Sequence, residues 1–239
     1  MKRISLTLLL CASLTSCFKM EGSRQIGTSS RIISFPIQQG ISATLNTHSG
    51  IHYELGGNGV IYFGGEGQFI IDKESAEGTP LIIDIEGVRL TCEDGEFYLT
   101  TYNLVDGPGN GKPGSAKLTV LQGKVRVQNA GPDIIVEKEG VRIFKDSVST
   151  MINWQPEEHT YWANGFYKFK QVPLYECKGI LTRWFDLKVG LDANDADSLV
   201  RDLYLKPYEE IAQQLHQLEQ NNNYTFTFYS KDSITIRHK

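Results

Sequence analysis

Five histidines and four cysteines are the residues of this 239-residue chain whose types could hold a metal or begin covalent chemistry. His48, His52, His159, His216 and His238 form no His-Glu-x-x-His array, and no two cysteines stand at zinc spacing. No metal and no cofactor is expected. Asp192-Ala-Asn-Asp-Ala-Asp197 has the carboxylate rhythm of a calcium loop, but it lacks the turn glycine and has Leu203 where the bidentate glutamate belongs. Gly64-Gly-Glu-Gly67 leads into no helix, so it is a turn and not a phosphate cradle. Asp84 and Glu86 fall on a strand surface, where solvation accounts for them. With no nucleophile set beside a base, the sequence predicts a protein that is not an enzyme, and no catalytic residue is assigned.

Cys17 is the one cysteine whose surroundings specify a reaction. Met1-Lys2-Arg3 is a short basic segment, Ile4 to Leu14 is an apolar core too short to span a bilayer, and Leu14-Thr15-Ser16-Cys17 resembles the bacterial lipoprotein box. Cleavage before Cys17 frees its amine for acylation and its thiol for a diacylglycerol, and each buried methylene contributes roughly 0.8 kcal/mol of anchoring. An ordinary secretory signal with an incidental cysteine is the other reading. No aspartate follows Cys17, which points to an outer-membrane anchor facing the periplasm rather than to the inner membrane. Cys11 leaves with the signal, so the mature chain keeps Cys92 and Cys177. In an oxidising envelope they can form a disulfide; alternatively they are separate buried thiols, since Cys177 lies on an apolar helical stripe.

The elements around these residues divide the chain. A composition of 40% hydrophobic and 22% charged residues suits one or two globular domains, and a net charge of −4 gives no electrostatic case for nucleic acid. Residues 1–16 read as signal peptide and 17–34 as a tether rich in Ser, Gly and Thr. From 35 to 153 the pattern is all β: short apolar runs such as Ile41–Leu45, Leu81–Ile85, Val88–Leu90, Leu118–Leu121 and Val125–Val127 are separated by turn residues such as Glu86-Gly87 and Gln122-Gly123. That spacing implies a sandwich or a solenoid-like β roll. Asp106 to Gly114, with four glycines in nine residues, is an exposed connector, either a tolerated insertion or an interaction loop.

Residues 154–161 read as a linker and 162–239 as a small α+β domain. Phe166 to Lys170 alternate as a strand, and after Pro173 the period changes. Leu174, Cys177, Leu181 and Trp184 then form one apolar helical stripe, with Glu176, Lys178 and Arg183 free to face water. A second helix is predicted from Lys206-Pro207, with Tyr208, Ile211, Leu215 and Leu218 on one face. With strands at Leu187–Leu191, Leu199–Leu205, Tyr224–Tyr229 and Ser233–Arg237, the order is β-α-β-β-α-β-β. An unpaired edge at the C-terminal strands could accept a partner strand through main-chain hydrogen bonds. Tyr224, Thr225, Phe226, Thr227, Phe228, Tyr229, Ile234 and Ile236 are therefore the candidate partner-binding residues, with the last strand leading; packing inside the domain is the alternative for the same residues.

Specific phrases resemble a known family. Ala43-Thr-Leu-Asn-Thr-His-Ser-Gly50, Gly65-Glu-Gly-Gln-Phe-Ile-Ile-Asp72, Thr79-Pro-Leu-Ile-Ile83 and Leu118 to Val127 are similar to the periplasmic β domain of FecR-type sigma-factor regulators. Trp162-Ala-Asn-Gly-Phe-Tyr-Lys-Phe169, Leu181-Thr-Arg-Trp-Phe-Asp-Leu187 and Tyr208 to Leu215 with Asn223 to Phe226 resemble the C-terminal domain of Bacteroidetes members, itself similar to the short N-terminal domain of secretins and TonB-dependent receptors. The resemblance implies a lipid-anchored envelope adaptor that binds protein, its partner the signalling domain of a TonB-dependent outer-membrane transporter. A lipoprotein that has kept the fold to bind a ligand or glycan, or to scaffold an assembly, is the other expectation. Glu93-Asp-Gly-Glu96 replaces the family's Gly-Thr before Phe97, and the family's cytoplasmic and membrane-spanning segments have no counterpart here, so a direct anti-sigma role is not expected.

Overall fold

The computed structural model describes residues 22–29, 31–55, 59–102, 115–129, 131–152 and 154–239. The signal segment with Cys17, part of the turn at 56–58, the glycine-rich stretch 106–114 and the boundary residue Asn153 lie outside the described residues. Among the described residues no helix is long and apolar enough to cross a membrane.

Alternation of apolar and polar side chains builds the first half. Twelve strands join in one sheet: β1 (Gly22–Gly27), β2 (Ile33–Gln38), β3 (Ile41–Leu45), β4 (Gly50–Leu55), β5 (Val60–Gly64), β6 (Glu66–Ile71), β7 (Leu81–Ile85), β8 (Val88–Thr100), β9 (Ala116–Gln128), β10 (Ile134–Val136), β11 (Gly140–Ile143) and β12 (Val148–Thr150). Their order is β1-β4-β5-β7-β8-β6-β3-β2, with β9 joining β8 to β10 and β11. Pairing is antiparallel throughout except between β5 and β7. In β7, Leu81, Ile83 and Ile85 point inward and are at most 2% exposed, as a period of two requires. The sheet's inner side holds a core that includes Leu45, Phe69, Leu99, Leu118 and Val127, with the Phe69 ring stacked on Phe97 at 5.2 Å.

Two expectations are corrected here. Residues 17–34, read as a tether, contain β1 and the start of β2; β1 pairs with β4 from Gly22↔Leu55 to Gly27↔Gly50. As an edge strand β1 puts only Ile26 against the core, so it carries no apolar alternation to read. The predicted turn at Gln122-Gly123 is not a turn, and neither is the facing Glu93–Glu96 segment. They are facing irregularities inside two thirteen-residue strands, β8 and β9, where Gly95 pairs with Gly123. Both glycines have positive φ, 125° and 76°, and a Cβ on Gly123 would stand 1.9 Å from the Asp94 carbonyl oxygen. Only glycine allows the strands to bend and remain paired there.

The second half has the expected β-α-β-β-α-β-β order. After α1 (Pro156–Thr160) and a 3-10 turn (Tyr161–Asn164) come β13 (Tyr167–Pro173), α2 (Leu174–Phe185), β14 (Lys188–Leu191), β15 (Leu199–Leu205), α3 (Ile211–Gln220), β16 (Tyr224–Ser230) and β17 (Ser233–His238). They form a β13–β15 sheet and a β14–β17–β16 sheet in which β14 and β17 run parallel. Leu174, Cys177, Leu181 and Trp184 are all buried, as the stripe predicts. A second core gathers them with Trp162, Val200, Leu203 and Ile236, and includes Tyr98 of β8.

The predicted linker 154–161 is partly helical, since Pro156 opens α1 with Glu157 and Glu158 in its first turn. Helix α3 starts at Ile211, not at Pro207, which leaves Tyr208 90% exposed. Gln214 sets that start: its Oε1 accepts from Lys206 N–H at 2.7 Å and its Nε2 donates to the carbonyls of Lys206 and Glu209, tying 206–210 into a turn. In the aspartate-rich loop, Asp192 accepts from the Asn194 N–H at 2.9 Å, a turn contact.

Candidate functional site

The eight candidate binding residues separate into inner and outer groups. Strand β17 lies between β14 and β16, so the last strand has no free edge, and that expectation is corrected. Ile234 and Ile236 are 1% exposed, and Tyr224 and Phe226 are also core; none of these four is available to a partner. Thr225 is half-buried. Thr227, Phe228 and Tyr229 face outward, with Tyr229 63% exposed.

Strands β14 and β16 are the edges of that sheet, and part of β16 is closed. Glu219 Oε1 accepts from the Phe226 N–H at 2.5 Å, and the register with β17 shifts between Phe228 and Ser230. Other edges in this half carry similar plugs. Glu158 takes the Lys170 N–H on β13 at 2.7 Å, and Asn222 bonds both the N–H and the carbonyl of Arg201 on β15. Side chains that occupy main-chain donors keep an edge from pairing indiscriminately. The stretch Thr227–Ser230 is left open.

A second constellation lies where the two cores meet. Asn46, just after β3 and fully buried, fills its hydrogen-bonding capacity: Nδ2 donates to Glu66 Oε2 at 2.6 Å and to Tyr167 Oη at 2.8 Å, while Oδ1 accepts from Trp184 Nε1 at 2.9 Å and from Thr47 N–H at 2.8 Å. Tyr167 also donates its hydroxyl to Glu66, and Thr100 donates to Glu66 Oε1 at 3.1 Å. Gly65, with φ 111°, brings Glu66 into place, because any side chain there would meet Ser49, whose Oγ accepts from the Glu66 N–H at 2.9 Å. The Arg183 guanidinium lies over the Tyr102 ring, 3.8 Å from its centroid. Burial raises the pKa of the Tyr167 and Tyr102 hydroxyls, with the Glu66 charge adding to it, so both stay protonated donors. Asn46 and, on β6, Glu66 are thus hydrogen-bonded to Tyr167 of β13, and Asn46 also to Trp184 of α2.

Glu176 and Arg183, expected to face water, face the first half of the chain. Its charge explains why. Lys117 of β9 stands 2.5 Å from Glu176, and both side chains are 12% exposed. Burial by itself pushes the Glu176 carboxyl up, but the charge and hydrogen bond of Lys117, joined by Arg142 and His159, together outweigh it and hold the pKa at about 2. Burial, with the nearby Lys117 charge, depresses His159 to about 3. Both shifts have the same sign for stability. The unfolded chain binds protons at about 6.5 for the histidine and 4.5 for the glutamate, so protection present above those values is lost as pH falls toward the folded ones. Acid titration from pH 7 to 2, followed by denaturant melts at each pH, should therefore show a continuous loss. Glu176→Gln should flatten its lower part by on the order of 2–3 kcal/mol; an unchanged acid limb would contradict the pairing.

Cys92 and Cys177 are free and buried, one in each core, so no disulfide joins them. Burial raises their thiols to about 11 and about 12. Among the described residues no group of three His, Cys, Asp or Glu side chains converges as metal ligands would.

Sequence reasoning met Asn46 and Glu66 only inside the family-like phrases and the Gly64–Gly67 turn, gave them no role, and passed over Lys117. The available signal was a polar residue at an inward strand position, as at Glu66.

No family model and no curated protein matches the sequence. Two crystal structures of a candidate anti-sigma factor from Parabacteroides distasonis ATCC 8503 are similar in fold. Each gives a TM-score of 0.74, at 16% and 15% identity, covering 91% and 90% of this chain and 99% of the other. At such identity the likeness is one of fold, and it takes in both halves: this chain has the architecture of that candidate anti-sigma factor along nearly all its length.

Proposed function

We propose that this protein is a lipid-anchored, non-catalytic regulator of the cell envelope, built like the periplasmic half of FecR-type regulators, that binds the signalling domain of a TonB-dependent outer-membrane transporter. The observation that carries this reading is the shared architecture with a candidate anti-sigma factor across both halves. The FecR-like phrases and the lipoprotein box at Cys17 add the envelope location, with the outer membrane as the anchor.

The open stretch of β16 fits the binding role. Thr227, Phe228 and Tyr229 present two aromatic rings beside main-chain groups that a partner strand can use, and aromatics of this kind anchor interfaces. Replacing both Phe228 and Tyr229 with aspartate should abolish capture of the transporter from native envelopes while leaving the melting temperature within a few degrees, because neither ring belongs to the core. Removing the chain after Gln220 is a poorer test, since it deletes the central strand of the sheet. Equal capture by wild type and the double variant would move the interface elsewhere; no receptor recovered with either would overturn the reading.

A further inference from the structure

A cleft of about 790 Å³ opens between the two halves, with β9, β11 and the segment after β12 on one side and α1, β13 and α2 on the other. Its charges do not balance. Lys117 on β9 and Arg142 on β11 occupy directly opposed register positions, where like charges repel. Lys170 adds a third cation to the lining, against two carboxylates, Glu158 and Glu176. Both carboxylates are engaged: Glu176 with Lys117, and Glu158 with the Lys170 N–H. His159, also in the lining, is neutral at physiological pH because burial holds its pKa at about 3.

The lining also holds apolar side chains open to water: Ile152 is 92% exposed and Leu199 48%, and Trp154 is half-buried. Exposed apolar surface and an excess of cations thus share one cleft. Pockets of roughly 300–1,000 Å³ at a junction of two units are typical of small-molecule sites, with a few polar groups setting orientation.

We infer that this cleft binds an amphipathic organic anion, a molecule with a carboxylate or sulfonate head and an aryl or acyl body. The head is the counter-charge that the Lys117–Arg142 pair lacks after Glu176 has supplied one. The body covers Ile152, Leu199 and Trp154. A ligand so placed touches both halves, and its recognition does not depend on the transporter reading.

The test is titration of the folded soluble chain with 8-anilinonaphthalene-1-sulfonate, read by its fluorescence, followed by displacement with decanoate and with decanol. Saturable binding is expected, with decanoate displacing the dye at least tenfold better than decanol. Arg142→Ala should weaken binding about tenfold, equivalent to ~1.4 kcal/mol. Ile152→Asp, at a side chain too exposed to affect folding, should weaken it severalfold and serves if the arginine variant does not fold. Circular dichroism and the melting temperature establish that dye is bound by the native state. Absence of saturable binding, equal displacement by the alcohol, or unchanged affinity in every folded variant would overturn the assignment.

Discussion

Replacing Asn46 with alanine should lower stability by about 3–5 kcal/mol, although it removes only a few atoms. The change leaves the Trp184 indole N–H and the Thr47 N–H without their acceptor and strips Glu66 of a donor. A buried donor or acceptor left unsatisfied costs about 1–3 kcal/mol, more where a charge is involved, and these groups have no water to turn to. The deficit falls on the contact between the halves, since the partners lie on β6, β13 and α2. Hydrogen exchange should therefore rise across residues 167–238 more than in the first sheet. Asn46→Asp makes a sharper case, because it sets a second carboxylate 2.6 Å from where Glu66 accepts. Two such groups share a proton, which raises the folded pKa of one of them above the unfolded value. Stability of that variant should then improve as pH falls below neutrality, opposite to the wild-type trend; a parallel loss on acidification would contradict the network.

The second large effect is expected at Trp162, which is 0% exposed and sits edge-on to Tyr98 of β8 at 5.9 Å. Truncation to alanine should cost about 3–5 kcal/mol, from lost transfer energy and the cavity left behind. Trp162→Phe should behave quite differently. The indole Nε1 is buried without a partner, so a phenylalanine keeps most of the packing and removes an unpaired donor. A loss under about 1.5 kcal/mol is expected for it. Denaturant melts distinguish the outcomes: two equally damaging substitutions would mean that the indole nitrogen has an unrecognised acceptor.

Much of the architecture was legible where one face of an element is apolar. The stripe Leu174, Cys177, Leu181 and Trp184 specifies α2, and the alternation Leu81, Ile83, Ile85 specifies β7; both stand as read. Legibility failed where the determinant is not a side-chain pattern. Strand β1 is held by main-chain pairing with β4, and polar sequence hides it. Gly95 and Gly123 look like turn residues in one dimension, yet they face each other across a continuous pair of strands. At the candidate site the same distinction holds. Phe226 and Ile236 alternate like a sheet face, but which face is covered depends on α3 and on strand order, and period alone does not say that β17 is central. Glu176 and Arg183 read as solvent-facing because their counterparts, Lys117 and Tyr102, are far away in sequence.

These elements converge on one account. Two cores are bonded together through Asn46, Glu66, Tyr167 and Trp184, and the second presents a short open strand end with Phe228 and Tyr229. Its central claim is that this strand end meets a transporter's signalling domain. The most direct measurement places a photo-crosslinking amino acid at Thr227, and separately at Ile152 in the cleft lining, in the full-length chain within living cells. Ultraviolet crosslinks from Thr227, and not from Ile152, to the periplasmic domain of a TonB-dependent transporter are the predicted result. Crosslinks to such a receptor from Ile152 alone, or from neither position, would contradict it.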